Sequence, residues 1–290
     1  ILNAILGLKA SLRDTRDHWS RLLYGRERPR VRIRDQQVQN GWYASIGHIL
    51  AALNRDGVPC ADRAMAVAAL LRAGLPAEAD RALALLETEA AAGSVPDRAA
   101  WVWAAGSAAR FARADAPLSG TWEGVLRACR EVRRAVSDPG APAVVLAWGA
   151  PALAEAAWAA RKLGRGDDAD WMKRTAGLAA GALALRLESD PRELPGLPWP
   201  GVALAAPGFG GVTSLLDSWF PAGPGEPARS PAVALGFAHS AVLAVRGDAA
   251  SPAIRYALAR YAVPGAFAWA DEGAAPPSLR AAAEHVCLLR

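Results

Sequence analysis

Between Asn40 and Phe111 apolar helical stretches alternate with turns marked by glycine and proline at a nearly constant spacing, and this alternation restricts the fold more than any other feature of the chain. Gly74-Leu75-Pro76 divides two alanine-rich stretches, Asp62 to Ala73 and Ala77 to Ala92. Glycine just past a helix adopts left-handed backbone without steric cost, and proline at a helix start loses an N–H that had no partner there anyway. The spacing predicts a helical hairpin. Gly93-Ser94-Val95-Pro96-Asp97 repeats the break, and the next helix is predicted to begin near Asp97, as its N-cap, and to carry Trp101, Trp103 and Phe111.

The same punctuation predicts helices over Leu2–Leu23, Gln39–Asn54, Thr121–Val136, Ala143–Leu163, Asp167–Leu187, Pro231–Val245, Ser251–Tyr261 and Ser278–Leu289. Residues 189–227 are dense in proline and glycine, with one regular piece expected as an apolar turn near Val212 to Trp219. A long ordered loop is expected there, of the kind that lines or covers a cleft. Abundant alanine and few β-branched runs favour helix over sheet. The result is an all-α chain of about eleven helices, which a closed or nearly closed toroid of antiparallel hairpins accommodates better than a four-helix bundle. A solenoid is the competitor, but no strict repeat is present. No linker divides the 290 residues, so one domain, 1–290, is expected.

A net charge of +5 comes from arginines scattered over most helices, apart from a cluster between Arg26 and Arg34 that reads as a solvated connector. No nucleic-acid partner is expected. Cys60, Cys129 and Cys287 are far apart and lack CxxC spacing, and His18, His48, His239 and His285 have no metal-ligand spacing. Neither a disulfide framework, nor a metal, nor a cofactor is expected. The longest uncharged stretch, Leu194 to Leu216, is broken by Pro195, Pro198, Pro200 and Pro207, so no membrane span is predicted. The absence of a signal-peptide pattern and of a disulfide pattern favours the cytoplasm, although a start at Ile1 suggests trimming. Nothing in the sequence sets an oligomeric state.

Several segments carry a family pattern in order. Asn40-Gly-Trp42, Ile49-Leu-Ala-Ala-Leu-Asn-Arg-Asp-Gly57, Asp62 and Ala69-Leu-Leu-Arg-Ala-Gly74 resemble the six-hairpin glycosidase superfamily, which includes glucoamylase-like glycoside hydrolases. Gly93 to Phe111, Ala147-Trp-Gly149 through Trp171, and the closing Ala282 to Arg290 are similar to later hairpins of that family, so the resemblance touches about two thirds of the chain. It implies an (α/α)6-type toroid, a carbohydrate ligand, and hydrolysis of a glycosidic bond in an α-linked glucan or glycoconjugate. Against the family pattern, the turn from Gly57 to Asp62 is short, and Ala141 to Ala150 contains no carboxylate.

Inverting hydrolysis needs two carboxyl groups roughly 6.5–9.5 Å apart, with the attacking water between them. Asp62, Asp97, Asp271 and Glu272 fall at helix starts or loops, where one mouth of a ring would gather them. Asp62 and the pair Asp271/Glu272 are the catalytic candidates; a helix N-cap is the favoured reading of Asp62 and still more of Asp97. Trp42, Trp101 and Trp269 could stack on a sugar face, with Arg63 as a further substrate contact, while core packing is the plain alternative for the tryptophans. A lanthipeptide cyclase lacks its zinc set here and a class-II terpene cyclase its DxDD motif; an epimerase-type toroid would rest on His48 and His239. The competing functional reading is a catalytically degenerate toroid that binds a glycan or protein, or scaffolds an assembly.

Overall fold

The positions that the sequence marks as helix breaks do end helices. In the computed structural model, which describes residues 17, 36–53, 55, 57–111, 116–190, 193, 197–205, 231–243, 253–257 and 278–288, Gly74 takes φ 73° and Gly164 takes φ 72°. Both close their helices alike. The Leu75 amide donates to the Leu70 carbonyl at 2.9 Å and the Arg165 amide to that of Ala160 at 2.8 Å, the six-to-one bond of a Schellman motif.

The described helices are α1 (Gln36–Ala52), α2 (Cys60–Arg72), α3 (Pro76–Ala92), α4 (Val95–Phe111), α5 (Ala116–Val136), α6 (Ala143–Lys162), α7 (Gly166–Ser189), α8 (Trp199–Ala205), α9 (Pro231–Leu243) and α10 (Leu279–Leu288). A further helical stretch occupies 253–257, and no strand occurs among the described residues. The expected helix Leu2–Leu23, apart from residue 17, and the turn at Val212–Trp219 lie outside those residues.

Three local expectations are corrected. Asp62 is not the N-cap of α2, because Pro59 at φ −57° and ψ 141° holds that place and the helix starts at Cys60. Asp62 is the third helical residue, in the first turn, where its charge complements the helix dipole. Asp97 is likewise the third residue of α4 rather than its cap. Its carboxylate accepts the Ser94 amide at 2.8 Å and the Ser94 hydroxyl at 2.6 Å, reaching back over the N-terminus in the manner of a capping box. We expect Asp97→Ala to cost about 1 kcal/mol in denaturant unfolding, and Asp97→Asn markedly less. The third correction falls in the Pro/Gly-rich segment, where α8 forms at Trp199–Ala205 with Pro200 in its first turn.

Helix packing closes a ring. α2 packs on α4, α4 on α6, α6 on α8, α8 on α9, α9 on α10, and α10 returns to α2. The remaining helices lie outside this ring: α1 against α10 and α2, α3 against α2 and α4, α5 against α4 and α6, and α7 against α6 and α8. The arrangement is an (α/α)6-type toroid. Cys60 at the start of α2 lies near Asp97 at the start of α4, and Arg72 at the end of α2 stands over Phe111 at the end of α4, so these two inner helices run parallel, as alternating hairpins require.

Composition follows position. Every residue of α2 from Arg63 to Leu71 and of α4 from Ala99 to Ala108 is buried, since an inner helix has neighbours all round and no polar face to spare. Outer helix α3 buries only Ala79, Ala82, Leu86 and Ala90, a single stripe at helical spacing. Helix α6 is 20 residues long with mean hydropathy 1.4, enough by length and composition to cross a membrane. Of its most apolar 18-residue window 72% is buried inside the protein, which accounts for that composition.

Candidate functional site

The ring places the expected sugar-binding residues in unexpected settings. Trp42 is 1% exposed, donates its indole N–H to the Val286 carbonyl at 3.4 Å, and packs edge-on to Tyr43 between α1 and α10. An indole so enclosed offers no face to a sugar. Arg63 is also buried, its guanidinium forked onto Glu89 by two bonds of 2.9 Å, with a third donated to the Leu53 carbonyl. It clasps α2 to α3 and to the end of α1, leaving little of the group for a substrate. Trp101 is buried to 6% exposure on the outward side of α4, at the floor of a groove of about 360 Å³ walled by Glu87, Arg98, Arg127 and Glu131. Asp62 is half-buried in the first turn of α2. Trp269, Asp271 and Glu272 lie outside the described residues.

A different set of residues converges inside the ring. The Glu284 side chain on α10 is fully buried, 3.4 Å from the Nδ1 of His239 on α9 and 3.9 Å from the Nε of Arg280 one turn earlier on α10. Neither contact is a hydrogen bond: both Glu284 oxygens lack a hydrogen-bond partner, as does His239 Nδ1. The His239 ring stacks on Trp199 with centroids 3.8 Å apart and planes at 18°. Trp103 of α4 meets Trp199 edge-on at 5.9 Å and Trp148 of α6 at 5.7 Å. Arg72, the last residue of α2, sits over both Trp199, at 5.7 Å, and Phe111, at 5.5 Å, and donates to Cys287 Sγ. Five of the six inner helices thus supply polar or indole groups to one cluster around Trp199, the first residue of the sixth.

Helical geometry explains which groups arrive there. Arg280 and Glu284 are four apart on α10 and share a face, while neighbouring His285 turns to α1 and meets the Ser45 hydroxyl at 3.1 Å. Burial pushes His285 down to about 4. His239 is also held below its usual value, by burial first, against the pull of Glu284, so it is neutral at pH 7. Burial raises Cys287 to about 11 despite Arg72 nearby, and it raises Cys60 to about 11 with help from Asp97 and Glu89, so neither thiol is a ready nucleophile at neutral pH.

Chemically the cluster joins a buried carboxylate, a neutral imidazole and two guanidinium groups to an indole wall. It can bind polar groups. Among the described residues, it holds no second carboxyl group beside Glu284. Of its members the sequence singled out His239, through its histidine chemistry, and Trp103, as an aromatic near a helix start; Glu284, Arg280, Arg72 and Trp199 carry no local signal, because α2, α8, α9 and α10 bring them together from 72 to 284. Among the described residues no three His, Cys, Asp or Glu side chains form a group able to hold a metal ion. No family model, curated protein or solved structure matches this chain.

Proposed function

We propose that this protein is a carbohydrate-binding toroid, related in ligand class to the six-hairpin glycosidases but without their two-carboxylate chemistry, and that the sugar is held inside the ring at Glu284 and His239. The observation that supports this most is the fully buried Glu284 carboxylate with neither oxygen hydrogen-bonded. His239 at 3.4 Å and Arg280 at 3.9 Å leave the acceptor oxygens of this buried carboxyl without hydrogen bonds, and a bound ligand's hydroxyls or water would supply them. With Trp42 and Arg63 occupied in packing and in an ion pair, neither grips a glycan chain, so sugar contacts fall to the groups inside the ring.

Hydrolysis is the competing reading, favoured by the half-buried Asp62 in the first turn of an inner helix, with Asp271 or Glu272 as its partner. One experiment separates the two. Purified protein is assayed for reducing-sugar release over a panel of α-glucans and glycoconjugates, and in parallel for binding to a glycan array. Binding without release is expected. Release that disappears in Asp62→Asn or Glu272→Gln at unchanged melting temperature would establish hydrolysis instead, and a folded protein that neither binds nor releases any glycan would remove both readings.

A further inference from the structure

Outer helix α7 is apolar on two sides. Its buried stripe faces α6 and α8. On the opposite side Leu178 and Leu185 are 75% and 67% exposed, the two most exposed large apolar side chains among the described residues. They share that side with Gly177, Gly181 and Ala182, and no exposed residue of α7 between Arg174 and Glu188 is charged. Outer helix α5 shows what a solvent face ordinarily holds: between Glu123 and Arg134 its exposed residues are Glu123, Arg127, Arg130, Arg133 and Arg134. Single apolar residues on a surface need no explanation, but a run of them down one helix face marks a contact.

The pattern of this face fits a second copy of itself. Arg174, Gly177, Leu178, Gly181, Leu185 and Glu188 recur at helical spacing and form one stripe. When two such stripes cross antiparallel about a two-fold axis at Gly181, residues equally far before and after that glycine meet. Gly177 and Leu185 are each four residues from it, so the leucine of one copy drops over the bare backbone of the other's glycine. No described atom lies within 4 Å of a Cβ built at Gly177 or Gly181, which leaves room for that approach. Arg174 and Glu188 are each seven residues from Gly181, so opposite charges meet at both ends of the pair. A parallel pairing would set Arg174 against Arg174 and Glu188 against Glu188. Beside Leu178, on the Ala182 side, a groove of about 470 Å³ between α7 and the turn from α5 to α6, with Val136 and Leu146 in its lining, continues the apolar surface past the helix.

We infer that this protein pairs with a second copy through α7, the two helices antiparallel and crossing at Gly181. A contact built on one helix pair is smaller than the about 800 Å² per partner of a standard interface, so the dimer is weak and reversible. The ring interior takes no part in it, and the inference stands apart from the proposed function.

The test is sedimentation of the full chain between about 1 μM and about 1 mM, the span of weak complexes. The mass is expected to rise from monomer toward dimer across that range. Leu178→Glu and Leu185→Glu, both at exposed positions, are each expected to weaken the dimer about tenfold or more at unchanged melting temperature, because each buries a charge in the contact. Arg174→Glu is expected to weaken it as well, and adding Glu188→Arg to restore it, which only the antiparallel register allows. Gly181→Cys is expected to form a disulfide between copies under mild oxidation, beyond any that the wild type forms, since the axis brings this residue against itself. A monomer throughout the range would overturn the inference, and a dimer indifferent to both leucine variants would place the contact on another face. A monomer that instead binds vesicles of neutral phospholipid, and loses them in the leucine variants, would overturn it in favour of a lipid surface. Failure of the charge exchange to restore the dimer, or of Gly181→Cys to cross-link it, would overturn the antiparallel crossing at Gly181.

Discussion

Gly201→Ala is expected to destabilise the protein by about 3 kcal/mol, because its new Cβ would meet backbone atoms closer than at any other described glycine. A Cβ at Gly201 would stand 2.5 Å from the Ala147 Cα and closer still to its carbonyl oxygen, so α8 meets the backbone of α6 rather than a side chain that could move away. Helix α6 contains Pro151, which has no N–H to give the carbonyl four residues earlier, that of Ala147. The glycine therefore approaches α6 at the turn the proline loosens. Moving α8 would also displace Trp199, its first residue, from the stack with His239. Urea unfolding checks this, with Gly177→Ala as the control: Gly177 is exposed on α7 with nothing within 4 Å of a new Cβ, and alanine there is expected to add about 0.5–1 kcal/mol through helix propensity. If Gly201→Ala matched wild type in stability, the packing of α8 on α6 would be wrong.

Arg63→Met is expected to cost about 2–3 kcal/mol. The side chain is 3% exposed and its three bonds tie Glu89 and the Leu53 carbonyl to α2. Methionine fills the same channel but leaves that carbonyl without its donor and Glu89 without its cation. Removing one partner of a fully buried pair costs about 3–5 kcal/mol, and the estimate here is lower because Glu89, 40% exposed, recovers water. Glu89→Gln should cost about 1 kcal/mol, and a double-mutant cycle with Arg63→Met should return a coupling above 0.5 kcal/mol. Additive losses would mean that the fork contributes no stability of its own. The same measurement bears on function, since an Arg63 that gripped a ligand would lose binding at constant stability.

The hairpin plan was legible because its signals are local. Gly74 and Gly164 stop helices through a backbone conformation that depends on the residue alone, and the alternating breaks around them set the antiparallel order. The boundary errors are equally local. Asp62 and Asp97 were expected as caps because aspartate is a good cap, but Pro59 fixes the entry to α2, and Ser94, two hydrogen bonds from Asp97, lies just ahead of α4. An aspartate three residues into a helix and one at its cap read alike from composition, since both favour the positive end of the dipole. Helix α8 was missed because Pro195, Pro198, Pro200 and Gly201 argue for loop; Pro200 sits harmlessly in a first turn, and Gly201 earns its place only through contact with α6.

The tryptophans show the limit more sharply. Trp101 and Trp103 lie two residues apart on one inner helix and Trp42 on an outer one, yet Trp42 is sealed between α1 and α10, Trp101 floors an outer groove, and Trp103 joins the indole cluster in the ring. Which way each points depends on the face of its helix it occupies and on the neighbour that face meets. The sequence by itself determined that this chain is helical, where most of its helices begin and end, and that they pair as hairpins, because capping, glycine and proline geometry and apolar spacing act within a few residues. Only the tertiary structure decided that α10 returns to α2, that the best sugar-stacking candidates are wall and core, and that Glu284 and His239 meet 3.4 Å apart inside the ring, because those contacts join residues that no local pattern links.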